Sequence, residues 1–374
     1  MDMATNQKSI RIVISGYYGF NNSGDEAVLR SILLALKEQA DHLGLIIEPV
    51  VLSGNPEWTS KMYEVEAVPR MHMPSIYKAL KEADGLISGG GSLLQDATGI
   101  KTVPYYTGII KIAQWLKKPT FIYAQGVGPV HRSWLFPFIK SAMNGSQYIS
   151  VRDEQSAQFL RKIGVSKSIE VVPDPVMGMP LPSAITVPDH KSDKPVVGVS
   201  VRFWRQDRAD LLRVADALVK LSQKRDVCIR FLSFHTPEDI EASKYVMSHM
   251  KIGFGTGSVV EMAHVGDDPQ QMLYAVSQCQ VLFGMRLHAL IYAANQQVPL
   301  LGLSYDPKID QFLKQISTLP IGTTAALDDE ACSDAILALI DQKEAWLEHK
   351  KENIVKLKEQ SQKPAQQIVK SLRK

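Results

Sequence analysis

An apolar run from Val281 to Phe283 gives way to Gly284, Arg286 and His288, which open a helical pattern carried by Leu287, Leu290, Ile291 and Ala294. A second apolar run, Val298 to Leu303, ends in Ser304, Tyr305, Asp306, Pro307 and Lys308. Two strands joined by one short helix read as parallel. In such a unit the carboxyl end of the strand meets the helix amino terminus, where free N–H groups and the helix dipole favour an anion. Arg286, His288 and Lys308 on one rim therefore describe a place for a small, highly charged anion. The competing structural reading has Arg286 capping a carboxylate and His288 as a satisfied, half-buried histidine.

The turn GYYGFNNSGDE, starting at Gly16, offers a second kind of chemistry. Ser23 and Glu26 have capping-box spacing and set a helix start near Gly24. Tyr17, Tyr18, Asn21, Asn22 and Asp25 exceed what a cap requires. Aromatic rings beside amides and a carboxylate suit a sugar, whose hydroxyls demand both donors and acceptors. The strand Gly85 to Ser88 ends in SGGGSLLQD, where three glycines allow close backbone approach to a ligand. They lack the G-x-G-x-x-G order of a dinucleotide site, and a tight turn with Ser92 as helix cap explains them equally well.

Stepping strand by strand, Arg11 to Ser15, Leu45 to Leu52, Gly85 to Ser88, Pro119 to Ala124, Gln147 to Val151 and Ile169 to Val172 each read as a strand. Each delivers glycine or polar residues at its carboxyl end, as a Rossmann-like sheet with one functional edge requires. From Pro180 to Pro195 the composition shifts to proline, serine and charge without periodicity, which marks a linker. A second α/β series follows: Val196 to Val201, ending in Arg202, Phe203 and Trp204; Val227 to Ser233, ending in Phe234 and His235; Val259 to Glu261; then the unit that carries Arg286. The chain of 374 residues thus divides into residues 1–180, a linker at 181–194, and residues 195–374 with a C-terminal helix that crosses back.

A net charge of +3 with no arginine-rich run argues against nucleic acid. Cys228, Cys279 and Cys332 lie far apart, fit a reducing cytoplasm and argue against structural zinc. The amino terminus passes from a polar tail into a strand without a signal region, and no long uninterrupted apolar stretch exists, so the expectation is a cytoplasmic protein that does not span a membrane. Trp134, Leu135, Phe136 and Phe138 cluster beside Arg132 and Lys140; a core-facing helix is the first reading and a membrane-surface contact the second. Lysines 350, 351, 356, 358, 370 and 374 of the helical tail read as a solvated face, with contact to anionic lipid as the alternative.

GYYGFNNSGDEAVL, ISGGGSLLQD, YAQGVGP, SVRDEQSA, VPDPV, SVR and FGMRLHALIYAANQQVPLLGLSYDPK, in this order, resemble the polysaccharide pyruvyl transferases over nearly the whole chain. The likeness is closest to the CsaB-type cell-wall polymer pyruvyltransferase of Gram-positive bacteria. The resemblance implies an α/β, GT-B-like fold of two Rossmann-like domains facing a central cleft, the first on the acceptor side and the second on the donor side. It implies phosphoenolpyruvate as donor, with no cofactor or metal. For the CsaB-type branch the acceptor is N-acetylmannosamine in a lipid-linked disaccharide precursor of a secondary cell-wall polymer. The product, a pyruvate ketal, helps anchor S-layer proteins, and the enzyme is expected at the inner face of the cell membrane as a peripheral protein.

Residue by residue, the resemblance puts donor-binding and catalytic roles on Arg286 and His288 and one on Lys308, with Gly284, Arg202 and Arg132 as further donor residues. Tyr17, Asn21, Asn22 and Gln95 are the expected acceptor contacts. Phosphoenolpyruvate carries a carboxylate and a phosphate, which arginine forks bind well. His288 is the expected general acid, its proton readily released at a helix start, and Asp25 or Asp96 the expected base by position. The rival reading is a GT-B glycosyltransferase or sugar epimerase using a nucleotide sugar, for which Asp306 and Asp310 are the candidate uridine-binding carboxylates. A wall-polymer-binding protein without turnover is the non-catalytic alternative.

Overall fold

The computed structural model describes residues 8–97, 99–186, 192–263 and 265–373. The polar amino-terminal tail up to residue 7, residues 187–191 of the expected linker and Lys374 lie outside the described residues. The chain forms two compact units, one of residues up to Met179 together with Leu357 onward, the other from Pro180 to Lys356.

The first unit holds β1 (Ser9–Tyr18), β2 (Ile46–Ser53), β3 (Glu66–Pro69), β4 (Gly85–Gly89), β5 (Thr120–Gln125), β6 (Tyr148–Val151) and β7 (Glu170–Val171). They make one sheet in the order β3-β2-β1-β4-β5-β6-β7, with each neighbouring pair parallel. The second unit holds β8 (Val196–Ser200), β9 (Cys228–Phe231), β10 (Val259–Met262), β11 (Val281–Gly284), β12 (Leu300–Ser304) and β13 (Gly322–Thr323). Their order is β10-β9-β8-β11-β12-β13, again all parallel.

Both sheets run outward in one direction from the first strand and then reverse, between β1 and β4 in one and between β8 and β11 in the other. This is the doubly wound order, in which helices cover both faces and a crevice opens at the carboxyl ends of the two strands flanking the reversal. Burial on both faces explains the near-continuous apolar runs: β4, β5, β8 and β11 are buried along their whole length. One core gathers Val13, Leu86, Ile122 and Ile149 under the helices of the first unit, and another gathers Val199, Phe231, Val281 and Phe283 in the second.

Short polar side chains start the helices after the strands. Asn22, Asp153, Asp268 and Asp306 each accept a backbone N–H of the first turn. The capping box expected at Ser23 is displaced by one residue: Asn22 is the cap, accepting Gly24 N–H at 3.1 Å, while Glu26 reaches back to Gly19 N–H at 2.7 Å. The final helix, Lys343–Arg373, continues through Pro364. Ala365, Ile368 and Val369 beyond it are fully buried in the first unit, and that burial outweighs the lost backbone bond.

The two glycines after β4 serve packing. Gly90 has φ +49° and a Cβ there would fall 1.9 Å from Val28 Cγ1; Gly91 has φ +68° and a Cβ there would lie 2.8 Å from Asp25 Oδ1. The loop lies directly on the first turns of the helix Ser23–Asp41, and Ser92 caps no helix but accepts Arg152 Nη2 at 2.5 Å. Gly90→Ala combines a left-handed backbone with overpacking, and about 2–4 kcal/mol of stability should be lost from the first unit. Urea unfolding followed through hydrogen exchange of residues 85–95 checks this; a loss under about 0.5 kcal/mol contradicts the packing account.

Candidate active site

In the second unit the reversal brings β8 and β11 side by side, with Ser200 opposite Gly284 and Gly284 also opposite Gly302 of β12. Arg202, Arg286 and Lys308 follow these three strands, so the sheet register alone places them on one rim. Gly284 itself is buried in the ladder, and its lack of a side chain lets Leu290 of the next helix close onto the strand, where a Cβ would sit 3.3 Å from Leu290 Cδ2. Arg286 caps the helix Leu287–Asn295 in an extended conformation, and His288 is half-buried in its first turn.

The three cations have different partners. Arg286 Nε lies 3.0 and 3.2 Å from the two oxygens of Asp239, and Nη2 donates to the same carboxylate. That aspartate side chain is completely buried and also accepts the N–H groups of Phe234 at 3.1 Å and His235 at 2.9 Å. The structural reading of Arg286 as a carboxylate partner is therefore correct for two of its nitrogens. Lys308 Nζ reaches Asp306 Oδ2 at 3.3 Å in an exposed pair, which is weak and readily exchanged for a phosphate oxygen.

Among the described residues, no carboxylate holds Arg202. Its Nη1 donates to Tyr305 Oη at 2.9 Å, and its guanidinium carbon lies 5.1 Å from the Tyr305 ring centroid and 5.5 Å from that of Trp204. Its Nε is buried and makes no hydrogen bond to the described residues. Aromatic faces orient the guanidinium and leave its charge uncancelled. Among the described residues of this rim, Arg202 thus carries the unbalanced positive charge, which is what an incoming anion meets first.

The acceptor candidates lie at the reversal of the first unit. Tyr17 stacks on Phe20 with centroids 4.2 Å apart and planes 11° from parallel, and both rings are about 40% exposed. Arg70 lies beneath, 5.6 Å from the Tyr17 ring and 5.2 Å from Phe20, and donates to Gly16 O and Tyr106 Oη at 3.1 Å each. Tyr18 instead points inward, and burial pushes its phenol well above the usual range. Asn21 is exposed, in a left-handed turn. Asn22 spends its side-chain oxygen on the cap, leaving its NH₂ group for other partners. Gln95 is half-buried, and Asp25 sits in the first helical turn beneath Gly91.

Asp96, expected as a base, is tied down. One oxygen accepts His131 N–H at 2.9 Å; the other accepts Arg132 N–H at 3.0 Å and Arg132 Nη1 at 3.2 Å. The hydrogen bond from the His131 backbone, ahead of those from Arg132, holds its carboxyl below the ordinary aspartate value, which suits a loop tie and not a proton acceptor. Arg132 shares that contact, with its side chain about half exposed. In the aromatic cluster nearby, Leu135 is core and Phe136 packs edge-on against Phe159, whereas Trp134 and Phe138 are exposed. Of the tail lysines, Lys350 donates to Ser317 O and Lys358 is half-buried, which lowers its pKa. No described helix is long and apolar enough to cross a membrane.

Asp239, Tyr305 and Trp204 were not singled out by sequence pattern. An acid on the first turn after a strand was the only available sign of Asp239. Asp239→Ala strands the Arg286 guanidinium and two backbone N–H groups, and should cost about 3–5 kcal/mol. Hydrogen exchange of segments 227–250 and 281–295 under urea checks this, and an unchanged opening energy contradicts the anchoring role.

Comparison with solved structures finds the same architecture in several epimerases and glycosyltransferases. A Listeria monocytogenes protein assigned as a UDP-N-acetylglucosamine 2-epimerase aligns with TM-score 0.65 at 12% identity, over 96% of this chain and 95% of its own. A glycosyltransferase from Rickettsia africae aligns with TM-score 0.62 at 12% identity, over 99% of each chain. The Neisseria meningitidis UDP-GlcNAc 2-epimerase, solved with UDP-GlcNAc bound, aligns with TM-score 0.57 at 12% identity, over 97% of this chain and all of its own. At this identity the likeness is one of fold, and it is the GT-B-like fold. No curated protein sequence gives a significant match. The family model described as polysaccharide pyruvyl transferase matches residues 22–307, a span that holds the strand-order reversal of the second unit, Arg202, Arg286 and His288, and the chain belongs to that family.

Proposed function

We propose that the protein transfers the enolpyruvyl carbons of phosphoenolpyruvate onto two hydroxyls of one sugar residue, closing a pyruvate ketal and releasing phosphate. The observation that best supports this donor is Arg202: a guanidinium oriented by aromatic rings with no carboxylate among the described residues to cancel it, on the rim that also holds Arg286 and Lys308. A ligand bearing both a carboxylate and a phosphate needs several fixed cations. In this reading Arg202, Arg286 and Lys308 hold the donor, and His288 protonates its methylene carbon. The electrophilic C2 centre then takes the first acceptor hydroxyl, and the second displaces phosphate. Tyr17, Asn21, Gln95 and the Asn22 amide are the acceptor contacts, and Arg132 is the least committed donor residue, being shared with Asp96.

The acceptor we propose is N-acetylmannosamine in a lipid-linked precursor of a secondary cell-wall polymer, as in the CsaB-type branch, with the ketal serving S-layer attachment. Such an acceptor calls for a cytoplasmic enzyme at the membrane face. Exposed Trp134 and Phe138, with Arg132 and Lys140 beside them, are the surface best suited to that contact.

A second reading, transfer or epimerisation of a nucleotide sugar, draws on the similarly folded enzymes that hold UDP-sugars. Its two candidate carboxylates have other work. Asp306 caps a helix through Lys308 N–H at 3.0 Å, and Asp310 accepts Ser304 Oγ at 2.8 Å.

Phosphate should be released from phosphoenolpyruvate only when a lipid-linked N-acetylmannosamine disaccharide is present; acceptor-dependent release of a nucleoside diphosphate from a nucleotide sugar would establish the second reading instead. Arg202→Ala should weaken phosphoenolpyruvate binding at least tenfold in titration calorimetry, and wild-type affinity removes Arg202 from the site. His288→Ala should retain donor affinity while single-turnover phosphate release falls roughly 10²–10⁴-fold; the reverse pattern makes His288 a ligand.

A further inference from the structure

Pyruvyl transfer requires a base for the acceptor hydroxyls. Asp96 is spent on the 131–132 backbone. On the donor rim, β9 lies next to β8, and the chain leaves it through Ser233, Phe234 and His235 into the helix Glu238–Met250.

Two observations single out His235. Its backbone N–H and Arg286 Nε bind the same Asp239 oxygen, at 2.9 and 3.0 Å, so the histidine is locked two hydrogen bonds away from a donor arginine. Its ring Nδ1 lies 3.2 Å from Glu238 Oε2. In the neutral ring with its hydrogen on Nδ1, that hydrogen faces the carboxylate and the lone pair is on Nε2. That nitrogen makes no hydrogen bond to the described residues, and the side chain is about one-third exposed. An imidazole oriented by a carboxylate through one nitrogen, with the other open, is the arrangement of a working general base.

We infer that His235, oriented by Glu238, is the general base of the transfer. The inference rests on the pyruvyl-transfer reading and completes its proton inventory. His288 as imidazolium gives its proton to the donor methylene, which becomes a methyl group. The first hydroxyl oxygen bonds to C2 and its proton passes to His235 Nε2. The C2–O bond to phosphate then breaks, phosphate leaves with both bonding electrons and takes the proton from His235, and the second hydroxyl bonds to C2, returning its proton to His288. Both histidines end as they began.

Of the charged side chains around it, Glu238, on the first turn of the helix that follows, contacts the His235 ring.

The test uses the full-length protein, phosphoenolpyruvate and a lipid-linked N-acetylmannosamine disaccharide. His235→Asn should bind phosphoenolpyruvate as the wild type does while single-turnover phosphate release drops roughly 10²–10⁴-fold. Glu238→Gln, a change at an exposed side chain, should bind phosphoenolpyruvate as the wild type does and lower single-turnover phosphate release, though less than His235→Asn does. Near-wild-type single-turnover rates in His235→Asn, or a wild-type rate in Glu238→Gln, overturn the assignment alone. A wild-type protein that releases no phosphate overturns the pyruvyl-transfer reading and this inference with it.

Discussion

Every strand of a parallel sheet must be followed by a crossover that returns the chain to its starting edge, so all carboxyl ends gather on one rim. Where the winding reverses direction, two neighbouring crossovers leave in opposite senses and a crevice opens between them. In this protein that constraint acts twice. In the second unit it sets Arg202 and Arg286 on strands paired Ser200 to Gly284, and in the first it sets the Tyr17 loop beside the glycine loop after β4.

Within the donor rim, the decisive contact is the buried Asp239 carboxylate. A charge taken out of water must be paired and hydrogen-bonded, and Asp239 meets that requirement with Arg286 and two backbone N–H groups. The contact ties the ends of β9 and β11 together across the end of β8. It also divides labour among the cations: Arg286 is fixed in place with its charge shared, Lys308 is loosely held, and Arg202 keeps its full charge between Tyr305 and Trp204.

Much of this was legible in the sequence. The buried strands announce themselves because burial on both faces demands unbroken apolar runs, and the position of Arg286 and His288 at a strand-to-helix junction follows from spacing. The short edge strands were harder: β3 is four residues ending in proline and β13 only two, too brief to carry a period. Side-chain partners were not legible at all. Asp239 stands 47 residues before Arg286, and nothing local to either marks their pairing. The glycine run at the end of β4 read equally as room for a ligand and as a tight turn, and Gly90 and Gly91 make room for the neighbouring helix; a sequence shows that space is needed but not what fills it. Asn22 and Asp96 likewise looked available because helix caps and loop ties use the same polar groups as binding sites.

The central claim is that the carboxyl ends of β8 and β11 receive a small dianionic donor. A crystal structure of the protein with phosphoenolpyruvate tests it most directly. The account predicts the ligand at that rim, with one of its two anionic groups on Arg202 and the other within reach of Lys308. Phosphoenolpyruvate bound elsewhere, with Arg202 still enclosed by Tyr305 and Trp204 alone, would contradict it.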